Sequence, residues 1–161
     1  SEPRVLLLDE PTVGVDPQSR VRLLELVRQQ VASGACVLYT THYMEEAEYC
    51  QRLALMNRGE LIALDTPARL RSETLEPVLE VKVDDAPRAV ETLKDTPGVL
   101  EAALFGRDLH VAVRDAEQAT LAIAGRLQEK GVRVLGIERI APSLEDVFVA
   151  RVRAAGGAPV D

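Results

Sequence analysis

The hydrophobic pattern of the first half of the chain alternates between short apolar runs and an amphipathic stretch. Residues 5–8 are a continuous apolar run, which predicts a strand buried on both faces, and residues 36–40 predict a second buried strand. Between them, a helix is predicted to start at Asp16-Pro17, because aspartate suits the N-cap and proline suits the first turn. Gly34 predicts its end, because glycine suits the position after the last turn. The helix carries an apolar stripe at Val21, Leu24, Val27 and Val31. Strand, helix and strand joined by a right-handed crossover predict a parallel sheet.

Shorter elements follow the second strand. Residues 44–50 predict a short acidic helix, and the charge run 45–48 is expected to form a solvated helix face. Two apolar runs within 53–64 flank a turn and predict a β-hairpin. A further short helix is expected to begin after Thr66. The polar stretch 71–77 ends in proline and predicts a domain boundary.

A different pattern begins after this boundary. The predicted order is strand, helix, strand, strand, helix, strand, at residues 78–83, 87–94, 99–105, 109–113, 115–130 and 132–140. This is the β-α-β-β-α-β order of ferredoxin-like domains. Ser143 and Asp146 predict the cap of a final helix, and the tail 154–161 is expected to fray. His110 alternates with apolar neighbours, so we expect it to face solvent without a function.

Composition narrows the class of protein. The 161 residues are 47% hydrophobic and 28% charged, which is typical of soluble globular domains. The net charge of -7 argues against a nucleic-acid-binding protein. Cys36 and Cys50 lack metal-ligand spacing and are expected to be reduced, packed thiols in a cytosolic protein. No apolar run approaches the roughly 18 residues that a membrane span needs.

Two adjacent carboxylates follow the first predicted strand. Asp9 and Glu10 come directly after the apolar run, at the strand end where ligands bind open α/β sheets. Adjacent strand residues point to opposite sides, so one carboxylate can serve Mg²⁺ while its neighbour faces an attacking water. Phosphoryl transfer needs both roles. Alternatively, the two carboxylates only cap the turn that follows.

Two further polar residues belong to the same edge of the predicted sheet. Asp16 is expected to cap the helix that starts at Pro17, and a capping aspartate can also be functional. His42 follows the second strand, so in a parallel sheet it should emerge beside Glu10. A histidine beside a carboxylate pair is a candidate donor to developing charge on a phosphate, although a lone histidine at a strand end is usually structural.

These motifs resemble those of ABC transporter ATP-binding subunits. Residues 5–11 resemble the Walker B strand, 13–17 the D-loop and 40–46 the switch-histidine loop, in the order and at the spacing of that family. Residues 52–63 are similar to the family's closing β-hairpin. The string 143–148 is similar to the end of the accessory domain in drug- and polyketide-exporter type members. Valine at position 15 and glutamine at position 51 are minor departures.

The resemblance implies a fold, a cofactor set and partners. It implies a partial P-loop NTPase (RecA-like) parallel sheet at 1–74, an accessory ferredoxin-like domain at 75–153 and a flexible tail. Asp9 would hold the Mg²⁺ shell, Glu10 would be the general base, Asp16 would communicate across a dimer interface, and His42 would contact the γ-phosphate of ATP. The implied partners are a second ATPase subunit, identical or closely similar, and an integral-membrane permease. The subunit would be peripheral on the cytoplasmic face of the cell membrane. No nucleic-acid partner is expected.

The main departure from the family is a missing motif. No Gly-x-x-x-x-Gly-Lys-Ser/Thr occurs in the sequence, so the α- and β-phosphates have no cradle. The Leu-Ser-Gly-Gly signature and the Q-loop are also missing. In the family, the phosphate-binding loop, the signature and the Q-loop all precede the Walker B strand. The strand that bears the phosphate-binding loop lies beside the switch-histidine strand. We therefore expect a truncated piece of a longer subunit, inactive alone, with an exposed apolar strand edge.

Three functions are compatible with the sequence. The first is an ATP-hydrolysing subunit that powers export of a small molecule through a separate permease. The second is a soluble, non-transport ABC ATPase for translation or repair, disfavoured because translation-type members usually carry Asn-His-Leu-Asp where this chain has residues 13–16. The third is a regulatory or dimerisation module at residues 78–150, which is compatible with the first.

Overall fold

The structure is a computed structural model that describes residues 4–74 and 76–157. The chain divides into two compact units between Gln51 and Arg52. The first unit contains β1 (Val5–Asp9), α1 (Pro17–Ala32), β2 (Cys36–Thr40) and α2 (Met44–Ala47). β1 and β2 pair in parallel, from Val5 opposite Cys36 to Asp9 opposite Thr40, as the sequence predicts.

The start and end of α1 follow from its sequence. The Asp16 side chain caps the helix and Pro17 occupies the first turn, where its missing N–H has no helical partner to lose. After Ala32 the chain turns at Gly34, whose φ of +94° is a left-handed conformation that glycine adopts without steric cost. The predicted helix bounds are confirmed, whereas α2 ends at Ala47 and is shorter than the predicted 44–50.

Burial of the two strands differs from the prediction. Residues alternate between exposed and half-buried along β1 and β2, and Val5, Leu7 and Leu38 are exposed. The prediction that β1 is buried on both faces and that β2 is also buried is therefore wrong for this chain. The reason is that α1 packs against β2, and two strands with one helix shield one face only. No residue of α1 is buried, and Val21 of the predicted apolar stripe is exposed.

The second unit begins with a β-hairpin. β3 (Leu53–Asn57) pairs antiparallel with β4 (Glu60–Asp65) around a turn that contains Gly59. α3 (Pro67–Ser72) follows and is capped by the Thr66 hydroxyl, which accepts the backbone N–H of Arg69. These elements are the predicted hairpin and short helix.

A four-stranded antiparallel sheet forms the centre of the second unit. Its elements are β5 (Val78–Val83), α4 (Ala86–Leu93), β6 (Val99–Phe105), β7 (Asp108–Val113), α5 (Ala116–Glu129) and β8 (Val134–Ile140). The sheet order is β6-β7-β5-β8, so the predicted β-α-β-β-α-β order is confirmed. α4 and α5 cover one face and enclose the core, which includes the fully buried Val81, Leu93, Leu109, Val111, Ile123 and Leu127.

The last helix, α6 (Leu144–Ala154), begins with a capping box in which Ser143 and Asp146 each accept the backbone N–H of the other. Leu144, Val147 and Val152 are buried on one side of α6, as its apolar pattern predicts. α6 packs against α3. The tail predicted to fray was 154–161, of which residues 158–161 lie outside the described part. Within the described ranges, no helix is both long and apolar enough to cross a membrane.

Candidate functional site

Glu10 and His42 meet at the carboxyl ends of the two parallel strands. His42 Nδ1 lies 3.0 Å from Glu10 Oε2, and the two side chains are 56% and 48% exposed. The parallel pairing of β1 with β2 brings both strand ends to one edge, as predicted. The structure therefore places a carboxylate and an imidazole in contact, and both remain open to solvent.

The backbone at Glu10 is held in an unusual conformation. Its φ is +42°, in the left-handed region that non-glycine residues rarely adopt. The Glu10 N–H is placed to donate to both the backbone carbonyl and the hydroxyl of Thr40, at 3.1 and 3.0 Å. Such a conformation costs about 1–3 kcal/mol and persists only where the surroundings enforce it. The strand pairing thus fixes the direction in which the Glu10 carboxylate leaves β1.

Asp9 is oriented by the same threonine. The Thr40 hydroxyl donates to Asp9 Oδ1 while it accepts the Glu10 N–H, so one side chain sets both carboxylate-bearing residues. Among the described residues, no group of three or more metal-binding side chains comes together. Asp9 therefore offers a single carboxylate, which fits Mg²⁺ only if waters and phosphate oxygens supply the other ligands, as is usual for this ion.

Asp16 has a structural role that is visible directly. Its Oδ1 accepts the backbone N–H groups of Gln18 and Ser19 at 3.0 and 3.1 Å, which satisfies two of the free donors at the start of α1. Hydrogen bonds from Ser19, first its side chain and then its backbone, lower the pKa of Asp16. The predicted capping is confirmed, and the interface role stays a prediction.

A buried carboxylate beneath this edge is the main feature that the sequence analysis missed. Glu46 is 3% exposed and accepts three hydroxyl hydrogen bonds: from Thr12 at 2.7 Å, from Thr41 at 2.7 Å and from Tyr39 at 2.9 Å. Arg20 Nε lies 3.6 Å from the same carboxylate. Glu46 thus connects α1, the segment after Glu10 and the segment that contains His42.

The expectation that residues 45–48 form a solvated helix face is therefore wrong for Glu46 and Ala47, which are both buried. α2 is one short turn, and its Glu46 side is turned towards the hydroxyls of Thr12, Tyr39 and Thr41. A signal was present in the sequence. Three hydroxyl residues, Thr12, Tyr39 and Thr41, stand near the ends of the two strands, and buried carboxylates are expected to find such donors.

The charge state of Glu46 follows from these contacts. Burial by itself raises the pKa of Glu46, but the hydrogen bonds from Thr12, Thr41 and Tyr39 and the charge of Arg20 outweigh it, and the net pKa is lowered. For Tyr39, burial and the hydrogen bond to Glu46 both favour the neutral phenol and raise its pKa to about 12. Glu46 is thus an ionised acceptor among hydroxyl donors.

Aromatic contacts extend the cluster towards His42. The Arg20 guanidinium carbon lies 4.3 Å from the centre of the Tyr43 ring, and the Tyr43 and His42 ring centres are 4.2 Å apart. A cation over an aromatic ring is attracted by the ring's electron density. The segment that holds His42 therefore touches α1 through Tyr43 as well as through Glu46.

His110 in the second unit also differs from its prediction. It is 8% exposed rather than solvent-facing, and its Nδ1 lies 3.0 Å from both oxygens of Asp146. Its ring stacks on Phe105 with centres 4.1 Å apart. The period-two pattern put His110 on the face opposite the main core, but α6 covers that face through the Asp146 contact. His110 thus has a structural partner.

A strand pair with two carboxylates and a histidine at one edge, followed by a β-α-β-β-α-β unit, defines an α/β protein with an appended antiparallel domain. Residues 66–152 match the family model described as the C-terminal domain of ATP-binding proteins of the DrrA1-3 type. The match covers more than half of the chain, and the chain belongs to this family.

Similar proteins are named as ATP-binding proteins of resistance and export systems. The chain is 41% identical over 152 residues to the daunorubicin resistance ATP-binding protein DrrA2 of Streptomyces coeruleorubidus, covering 91% of this chain and 47% of that protein. It is 30% identical over 155 residues to the linearmycin resistance ATP-binding protein LnrL of Bacillus subtilis, covering 92% and 49%. Identity to the Nod factor export ATP-binding protein I of Rhizobium sp. is 36% over 151 residues, covering 92% and 47%. The chain spans about half the length of these relatives.

Proposed function

We propose that this chain carries the catalytic-carboxylate half of an ATP site in an ABC transporter subunit that hydrolyses ATP to power export of a small molecule. The observation that carries the proposal is the 3.0 Å contact between Glu10 and His42 at the ends of two adjacent parallel strands. The names of the relatives as resistance and export ATP-binding proteins support transport over a soluble, non-transport ATPase.

The fold proposed for the first part is a partial P-loop NTPase sheet. Residues 1–74 would belong to the nucleotide-binding domain, 75–153 to a ferredoxin-like accessory domain, and 154–161 to a tail. The hairpin and α3 lie in the second compact unit, because α3 packs against α6. The proposed boundary at residues 74/75 therefore follows the sequence pattern, whereas the boundary of the compact units, between Gln51 and Arg52, follows the packing.

The proposed chemistry uses the two exposed side chains at the strand ends. Glu10 accepts a proton from the water that attacks the γ-phosphate, which yields ADP and inorganic phosphate. Asp9 would hold Mg²⁺, and the ion would supply positive charge that neutralises the phosphate oxygens. The contact with a carboxylate requires a proton on His42 Nδ1. A simultaneous donation to the γ-phosphate requires a second proton, on Nε2, so the phosphate and Glu10 compete for a singly protonated ring.

The proposed partners follow from a half-site. The α- and β-phosphates would be held by a phosphate-binding loop that this sequence does not contain, in the longer subunit. Asp16 would lie at the interface with a second copy or a closely similar subunit. An integral-membrane permease would supply the transport path, and the subunit would sit on the cytoplasmic face of the membrane.

The test is ATP hydrolysis by the full-length subunit that contains this chain. We expect E10Q to lower kcat about 100-fold or more, because general acid–base catalysis contributes about that much. E25Q, on the exposed side of α1, is the matched control and should retain wild-type kcat. Unchanged hydrolysis by E10Q would overturn the proposal. The 161-residue chain by itself should bind no nucleotide in the micromolar range, which titration calorimetry would measure.

A further inference from the structure

We infer that Glu46 is a positioning residue that holds the segment of His42 against the segment of the catalytic carboxylates. The inference rests on the proposed function and deepens it. Glu46 does not reach the strand-end site itself. It would act on hydrolysis through His42, which contacts Glu10.

The two carboxylate oxygens of Glu46 serve different segments. Oε1 accepts the hydroxyl of Thr12, which lies two residues after Glu10. Oε2 accepts the hydroxyls of Tyr39 and Thr41, and Thr41 immediately precedes His42. One buried side chain thus spans the gap between the two segments that present Glu10 and His42.

The Thr41 hydroxyl continues the connection into the backbone. It donates to Glu46 Oε2 and accepts the N–H of Tyr43 at 3.0 Å, so it braces the residues on both sides of His42. α2 begins at Met44, and Tyr43 at its N-cap makes no side-chain capping bond. A helix of four residues is unstable by itself, so contacts such as those of Glu46 must hold it in place.

The contact between Glu10 and His42 is too exposed to set their separation. Both side chains are about half exposed, and a hydrogen bond that is open to water competes with hydrogen bonds to the solvent. The Glu46 carboxylate is buried and ionised, and its three partners are all donors, so its hydrogen bonds are charge-assisted and shielded. The buried cluster is therefore the stronger restraint on the position of His42.

Replacement of Glu46 by glutamine separates charge from shape. One carboxylate oxygen becomes an NH₂ group, which is a donor, so either the Thr12 side or the Tyr39 and Thr41 side loses its acceptor. The side-chain volume is nearly unchanged. We expect the His42 segment to lose its fixed distance from Glu10, while the loop proposed to hold the α- and β-phosphates is untouched.

The experiment measures steady-state ATP hydrolysis by the full-length subunit with E46Q, T41V and the control E45Q. Glu45 is the exposed neighbour of Glu46 on α2. We expect E46Q to lower kcat about 10- to 100-fold, since small misplacements of catalytic groups have effects of this size. KM for ATP should stay within about threefold, because uniform binding is not altered. T41V should lower kcat in the same direction, and E45Q should match wild type.

A double-mutant cycle distinguishes positioning from general stability. If Glu46 acts through His42, E46Q should change kcat by less than about twofold in an H42A background. Folded fraction is measured by thermal unfolding, and kcat is normalised to it. If E46Q does not fold, T41V alone is subjected to the same cycle, because it removes a single hydroxyl.

The outcomes distinguish failure of the proposed function from failure of the positioning role of Glu46. A wild-type subunit without ATPase activity, or an E10Q variant with full activity, would overturn the proposed function. If both behave as expected but E46Q or T41V retains wild-type kcat, the positioning role of Glu46 is wrong. The role is also wrong if the loss in kcat vanishes after normalisation to the folded fraction. It is likewise wrong if E46Q lowers kcat in the H42A background by the same factor as in the wild-type background.

Discussion

His110 lies 3.0 Å from both carboxylate oxygens of Asp146, and this contact joins β7 to the first turn of α6. The same carboxylate accepts from the backbone and hydroxyl of Ser143 at 2.7 Å, so one side chain closes the helix cap and anchors the helix to the sheet. The packing of α6 on the antiparallel sheet therefore depends on the Asp146 carboxylate.

The first prediction concerns acid stability. Burial raises the pKa of Asp146, but the hydrogen bonds from His110 and Ser143 outweigh it, and the net pKa lies below the usual value. A lowered folded-state pKa contributes stability that is fully present above the unfolded pKa of about 3.9 and is lost as pH falls through the folded value. The 161-residue chain should thus lose stability below about pH 4.

The D146N variant tests this assignment. At neutral pH it should lower the free energy of unfolding by about 1–3 kcal/mol, because buried partners lose a charged acceptor. Between pH 5 and 2, the free energy of unfolding of D146N should fall less than that of wild type, as measured by urea unfolding at each pH. D95N, at an exposed aspartate, is the control. Identical acid profiles for wild type and D146N would contradict the prediction.

The second prediction concerns Tyr39. Its pKa is raised to about 12 by burial and by the hydrogen bond to Glu46, against about 10 for the unfolded chain. This raised pKa contributes stability that is present below pH 10 and is lost as pH rises through about 12. The near-ultraviolet absorbance of tyrosinate should show a transition near pH 12 that is absent in Y39F. In E46Q it should move towards the unfolded value, and an unshifted transition there would argue against the hydrogen bond.

The third prediction uses the backbone strain at Glu10. E10G and E10A both remove the carboxylate, but only glycine adopts a φ of +42° without steric cost. E10G should therefore be more stable than E10A by about 1 kcal/mol, which thermal or urea unfolding would measure. Both variants should be inactive in the full-length subunit. Equal stability of the two would show that the left-handed conformation is not strained in solution.

The fourth prediction concerns the uncovered face of the parallel strands. Val5, Leu7 and Leu38 are 61%, 71% and 63% exposed. Apolar side chains exposed together favour association. The N-terminal segment should be poorly stable or self-associate, and L7S should raise the monomer fraction of the 161-residue chain in analytical ultracentrifugation. L121S, at an exposed leucine of α5, is the control. A monodisperse, thermally stable wild-type monomer would refute the prediction.

Local signals were sufficient to predict most of the elements. Helix ends follow from sequence alone, because a capping residue acts within one turn of chain. Examples are the aspartate and proline at the start of α1, the glycine after its end, and the Ser143–Asp146 capping box. The contact of Glu10 with His42 was also predictable, because adjacent parallel strands bring their carboxyl ends together. The roles of Asp9, Glu10, Asp16 and His42 stay predictions.

Burial of single polar residues was not predictable in this way. Glu46 stands in an acidic run and His110 stands on a strand, and both patterns are compatible with exposure. Each has a hydrogen-bond partner in a distant segment: Thr12 for Glu46, in addition to the nearby Tyr39 and Thr41, and Asp146 for His110. The distant partners are 34 and 36 residues away in sequence, beyond any local rule.

By itself, the sequence determined the order of strands and helices, their caps, and the presence of two carboxylates and a histidine at one sheet edge. These features depend on residues that are close along the chain or on the general geometry of parallel strands. Only the tertiary structure decided which carboxylate is buried and ionised, which histidine is structural, and which faces of β1 and β2 are exposed. Those outcomes depend on which segments pack together, since burial and hydrogen-bond partners are properties of the folded chain.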